Sequence, residues 1–283
     1  MINVREINCR SALTKTGGFL STYTHTLQPY VGCVFRCAYC YVQALPVHHF
    51  HGGDWGTYVD VKTNLPETLS RELAKLRASG KPIRVFMSSA TDPYQGAEAK
   101  YRITRYCLEA FTASPPDLLV VQTRSPMAER DFDILRQIPR CVFSFTLETD
   151  DEATRRKLTP YAPSVKRRLE TLDKAMASGL TVQVAVSPML PNDPDHFASL
   201  LKNRCHRILI DTFFDGDGSQ GQRSERLGMR ARYGAHGYSG WYHPNAHRNL
   251  FDACATQLGS GRVAYSKEGF NTVDMLLHGG TEA

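Results

Sequence analysis

Six short apolar runs, separated by stretches with helical periodicity, constrain the fold of this chain more than anything else in it. They are Thr22–Gln28, Ile83–Ser88, Leu118–Gln122, Cys141–Leu147, Thr181–Val186 and Arg207–Asp211. Their length and composition are those of strands, and the intervening helices make the sheet parallel, because parallel neighbours need a crossover. Helical patterns cover Glu98–Ala113, Met127–Gln137, Asp151–Leu158, Ser164–Ser178 and Pro194–Asn203, with Gly179 stopping the fourth. The expected class is α/β, with too few units for a closed eight-stranded barrel.

In parallel βα folds the chemistry gathers at the C-terminal ends of the strands. The unusual polar residues fall there: Ser88, Ser89, Thr91 and Asp92 after the second run, Thr123–Pro126 after the third, and Glu148 after the fourth. Ser187–Met189 follow the fifth run, and Asp211–Gly218 the sixth. Asp211, Asp215 and Asp217 lack the flanking pattern and terminal Glu of a calcium loop, so that segment reads as a turn with a site role.

The first run leads into Cys33, Cys37 and Cys40, three thiolates at CxxxCxxC spacing on one short loop. An iron–sulfur cubane is saturated by four thiolates, so three leave one iron open to a small molecule. A zinc site is the alternative; it needs a fourth ligand, which His48, His49 or His51 would supply. That alternative describes a zinc-stabilised nucleic-acid-binding protein without catalysis. Cys9, Cys107, Cys141, Cys205 and Cys254 are isolated and read as small buried hydrophobes. His236, His243 and His247 read as ordinary histidines rather than ligands.

At 283 residues the chain makes one large or two small domains. The expectation is a barrel over 1–215 and a C-terminal extension or cap over 216–283, with a helix at Pro244–Leu258 and a short strand at Arg262–Tyr265. No apolar run is long enough to cross a bilayer, and eight cysteines without a leader-like start suit a reducing cytoplasm. A net charge of +6 permits a nucleic-acid or phosphate-bearing partner.

The aromatic Tyr39 before the last cysteine completes a CxxxCxΦC pattern that resembles the signature of the radical S-adenosylmethionine (SAM) superfamily. Pro29–Cys33, Tyr41, Thr91–Gln95, Thr123–Pro126, Arg168–Leu172 and Val186–Pro191 are similar to the spore photoproduct lyase-like branch. The resemblance covers about residues 20–215. It implies a partial (βα)6 TIM-type barrel, with a [4Fe–4S] cluster on Cys33, Cys37 and Cys40. SAM would be cleaved to a 5′-deoxyadenosyl radical that abstracts hydrogen from the substrate. It further implies an electron donor of the flavodoxin or ferredoxin type.

By the same resemblance Tyr39 meets the adenine, and Ser88, Ser89 and Asp92 accept from the SAM ammonium. Glu148 is a candidate for the ribose or the amino group, and Arg168 and Lys157 are candidates for the SAM carboxylate. Arg124 and Lys62 are candidates for substrate, a nucleic acid or nucleotide being favoured. One departure stands out. The branch's hydrogen-donating cysteine lies in the loop that here reads Met87–Asp92 and holds none, so spore-type thymine-dimer repair is not the expected reaction.

Overall fold

The computed structural model describes residues 2–277. Its strands are β1 (Asn3–Ile7), β2 (Leu13–Lys15), β3 (His25–Leu27), β4 (Tyr30–Val31), β5 (Tyr58–Lys62) and β6 (Arg84–Met87). They continue with β7 (Leu118–Thr123), β8 (Cys141–Thr146), β9 (Val182–Val186), β10 (Arg207–Ile210) and β11 (Val263–Tyr265). The principal sheet runs β11-β10-β9-β8-β7-β6-β3-β2, parallel from β3 to β11, with β2 antiparallel at its edge. This is the expected α/β fold with a central parallel sheet.

Strands β9 and β10 are buried at every position, so they are mostly apolar rather than alternating, with Gln183 and Arg207 the buried polar exceptions. Helices cover them. Helix Leu65–Ala78 buries Leu65, Leu69 and Leu73 at four-residue spacing, and helix Val165–Ala177 buries Val165, Arg168, Leu172 and Ala175. Local caps fix the helix starts: Asp151 accepts from the amides of Ala153 and Thr154, Ser164 from Arg167, and Asp193 from His196.

Three elements differ from the sequence reading. The helix expected over Glu98–Ala113 is two, Glu98–Tyr101 and Ile103–Ala113, broken at left-handed Arg102. The break follows from Glu98, whose carboxylate turns back to accept from the Thr104 amide (2.9 Å) and cap the second helix. The helix expected over Met127–Gln137 is a 3₁₀ turn, Pro126–Asp131, followed by Phe132–Leu135. A small second sheet, β1-β5-β4, was not anticipated.

The segment after residue 215 has two placements. Met229, Tyr233 and Tyr242 pack with Phe213 over the cysteine loop in a second core. Val263–Tyr265 instead pairs with β10 and adds a seventh parallel strand to the six expected. No helix among the described residues is long and apolar enough to cross a membrane.

Candidate cofactor and active site

The site begins with a turn. Strand β4 pairs with β5, and the chain then turns through Gly32 (φ +83°) into the cysteine loop. The Gly32 carbonyl accepts from Thr91 Oγ1 (2.6 Å) and Gln95 Nε2 (3.0 Å), while Gln95 Oε1 accepts from the Val34 amide (3.1 Å). Gln95 thus clips the cysteine loop to the loop after β6, a role the sequence reading did not assign.

Cys33, Cys37 and Cys40 are free thiols lining one cavity of about 390 Å³. Burial pushes the Cys33 thiol far up, and the negative charges of Asp92, Cys37 and Cys40 add to that. Cys40 is pushed up to about 12 by burial and then by Cys37. Three thiolates crowded in an apolar pocket ionise together only around a cationic group, which draws the protons off. This chemistry fits an iron–sulfur cluster, with the three cysteines as its ligands. Among the described lining residues there is no histidine. His48 and His51 lie instead on Tyr58, His51 stacked at 3.5 Å and His48 Nδ1 3.0 Å from its hydroxyl.

The rest of the lining comes from strand ends. Tyr39, Ser88, Ser89 and Asp92 all line the cavity. Asp92 accepts from Thr123 Oγ1 (2.7 Å) and the amides of Tyr94 (2.9 Å) and Arg124 (3.0 Å), which fix its carboxylate although burial raises it. Ser88 donates to the Leu27 carbonyl (3.2 Å), and Ser89 Oγ accepts from Gln28 (2.9 Å).

The other three expected cofactor contacts do not line the cavity. Glu148 lies behind it, fully buried, accepting from Tyr39, Arg124 and Arg168. Arg168 is on the inward stripe of its helix, 2.5 Å from Glu148 and closed off from solvent. Lys157 sits outside, its ammonium 4.8 Å from the centre of the Tyr238 ring. Lys62 also lies elsewhere, donating to the Gln28 carbonyl (2.9 Å), whereas Arg124 does line the cavity.

On the wall formed after β10 stands Asp211, held by the Thr212 amide (3.0 Å) and Ser187 Oγ (3.3 Å). A Cβ on Gly216 would meet its Oδ2 at 2.1 Å, so a glycine is needed there for the carboxyl to fit. Burial raises Asp211 to about 7, against hydrogen bonds from Ser266, Thr212 and Ser187 and with Asp215 adding to the rise. The folded state therefore binds a proton that the unfolded chain has released, and stability from this group is lost as pH rises from about 4 to about 7. The full loss is on the order of 4 kcal/mol. Asp211→Asn is expected to abolish that dependence, so chemical denaturation at pH 5 and pH 8 should show the variant gaining on the native protein at pH 8. Equal pH trends in the two proteins would rule it out.

The fold and site define a parallel α/β protein with a three-thiolate cofactor pocket at its strand ends. The family model described as Radical SAM superfamily matches residues 27–202, most of the chain, and the chain belongs to that superfamily. Membership implies a [4Fe–4S] cluster and SAM as cofactors, and radical cleavage of SAM as the general activity. An uncharacterized protein of Mycobacterium tuberculosis is 32% identical over 203 residues, 69% of this chain and 58% of the relative. The chain thus spans little more than half the length of that relative. A radical SAM Nalpha-GlyT isomerase of Pseudomonas phage M6 is 26% identical over 170 residues, 60% of this chain and 34% of the phage protein. Among solved structures, spore photoproduct lyase complexed with dinucleoside spore photoproduct superimposes with a TM-score of 0.66 at 14% identity, over 93% of this chain and 81% of the lyase. The two share a fold.

Proposed function

We propose that this chain is a radical SAM enzyme acting on a nucleotide-bearing substrate, taken into the cavity that the three cysteines line. The observation that carries the substrate class is charge. Lys15, Arg36 and Arg223 line the same cavity, and none has a carboxylate partner among the described residues. Arg223 donates to the Asp217 carbonyl, which holds the guanidinium at the wall. Unpaired cations at a cavity wall suit phosphate oxygens, which accept charge-assisted hydrogen bonds. The dinucleoside ligand of the structurally similar lyase supports the same class.

The bound cofactors would supply the hydrogen-abstracting radical when an electron arrives from a flavodoxin- or ferredoxin-type donor. The chain's own residues do the rest. Cys33, Cys37 and Cys40 hold the cluster, while Asp92, with Ser88 and Ser89 beside it, receives an ammonium group. Tyr39 and Phe213, 5.9 Å apart between ring centres, close the apolar side and exclude water.

Anaerobic reconstitution with iron and sulfide, then SAM and dithionite, tests the reading. About four irons per chain and formation of 5′-deoxyadenosine are expected. Bound zinc with SAM intact would replace it with the zinc-stabilised alternative. A short oligonucleotide should bind with a salt dependence that weakens in Lys15→Gln and Arg223→Gln. Binding indifferent to salt and to both substitutions would remove the nucleotide assignment.

A further inference from the structure

Beneath the cysteine loop lies a charged group that the cofactor contacts do not use. Glu148 stands between Arg124 and Arg168, with Glu148 and Arg168 fully buried and the Arg124 side chain 14% exposed. Burial alone would raise Glu148, but Arg124 and then Arg168 outweigh it and bring the carboxyl down to about 2. The group is therefore two guanidiniums and one carboxylate, a surplus of one positive charge. Arg168 Nε and Nη2 have no hydrogen-bond partner among the described residues. An unmatched buried charge of this kind is costly, so it calls for a nearby anion. The Arg124 and Cys37 side chains line the same cavity. Tyr39 ties the arrangement to the cysteine loop: its hydroxyl donates to Glu148 and accepts from Arg124 Nη1 (3.0 Å).

We propose that the Arg124–Glu148–Arg168 group is a built-in counter-charge for the iron–sulfur cluster and its thiolates, raising the potential at which the cluster accepts an electron. Glu148 is then a positioning residue that holds Arg124 at the cavity wall that Cys37 also lines, rather than a ligand of SAM. The inference rests on the reading of the three cysteines as cluster ligands. On reduction one electron passes from an external one-electron donor to the cluster. The donor is oxidised, the assembly gains one negative charge, and no bond is made or broken. A positive charge at the wall of the same cavity favours that product over the reactant, and burial lets it act with little screening. Asp92, whose carboxylate accepts from the Arg124 amide (3.0 Å), works against the group and limits the effect.

The test is the midpoint potential, read by the reduced-cluster EPR signal in reconstituted protein titrated with dithionite. Arg124→Gln should make reduction about tenfold less favourable, a fall of about 59 mV for one electron. Arg124→Lys keeps the charge and should stay near the native potential. Glu148→Gln removes the negative member and should move the potential upward. A merely structural role would not give shifts of opposite sign, nor would lysine restore the potential. Should Glu148→Gln not fold, the Arg124 pair decides alone. An unchanged potential in Arg124→Gln with the cluster intact, or equal shifts in the Gln and Lys variants, overturns the proposal. Native protein that assembles no cluster overturns the underlying reading instead, and the iron assay separates the two failures.

Discussion

Replacing Cys33, Cys37 and Cys40 together by alanine is expected to leave a folded protein that takes up no iron and forms no 5′-deoxyadenosine. The two halves of this expectation rest on different parts of the molecule. Sheet stability comes from the main core, where residues such as Leu119, Val121, Phe143, Phe145, Val184 and Ile208 are almost wholly enclosed. The cysteines belong to a separate core, together with Tyr39, Trp55, Tyr58, Phe213, Met229, Tyr233 and Tyr242. Phe213 packs within that core, its ring centre 5.6 Å from Tyr233 and 5.7 Å from Tyr242. Losing three thiols there removes little apolar area, and the cost to the metal-free protein should be about 1–3 kcal/mol. Cofactor chemistry should be lost outright, because no other cysteine lines the cavity among the described residues. Circular dichroism and urea denaturation check the fold, and iron, sulfide and 5′-deoxyadenosine assays check the chemistry. Residual iron at near-native stoichiometry would mean that the ligands lie elsewhere.

The strand ends were legible in the sequence because a parallel sheet concentrates its signal in short apolar runs, and such runs need no partner to be recognised. Strand β5 was not, and Asp60 is the reason. A carboxylate inside a five-residue run reads as loop, yet Asp60 is buried, because Arg5 from β1 pairs with it at 2.7 Å. That neutralising partner is 55 residues away and carries no local signal. Arg168 and Lys157, expected at the SAM carboxylate, lie off the cavity lining for a reason the sequence did contain. Arg168 shares a stripe with Val165 and Leu172, which turns it toward the sheet, whereas Lys157 sits one residue off the inward-facing Leu158. Glu148 was correctly placed at a strand end. The arginines that draw it away from the cavity come from two other elements, a convergence that no local pattern encodes.

Gly32→Ala is expected to be the most damaging single substitution in the cysteine loop. Gly32 occupies the left-handed region, where a side chain costs about 1–2 kcal/mol. A Cβ there would also lie 2.4 Å from the Tyr58 carbonyl oxygen and 2.7 Å from its ring. Neither neighbour can give way. The carbonyl is part of β5, whose Tyr58 is paired with Asn3 of β1, and the ring is stacked against His51. Relief must come from Gly32 itself, which would pull its carbonyl away from Thr91 and Gln95 and undo the clip that holds the cysteines over the strand ends. With an overpacking cost of about 1–3 kcal/mol, the total is about 2–5 kcal/mol. Reconstitution should yield well under half the native iron, and the urea midpoint of the metal-free protein should fall. The control is Gly80→Ala, a left-handed position with nothing within 4 Å, which should lose only the backbone part and keep its iron. If Gly32→Ala matches that control in both assays, the close approach of the cysteine loop to β5 is not what sets the geometry of the three thiolates.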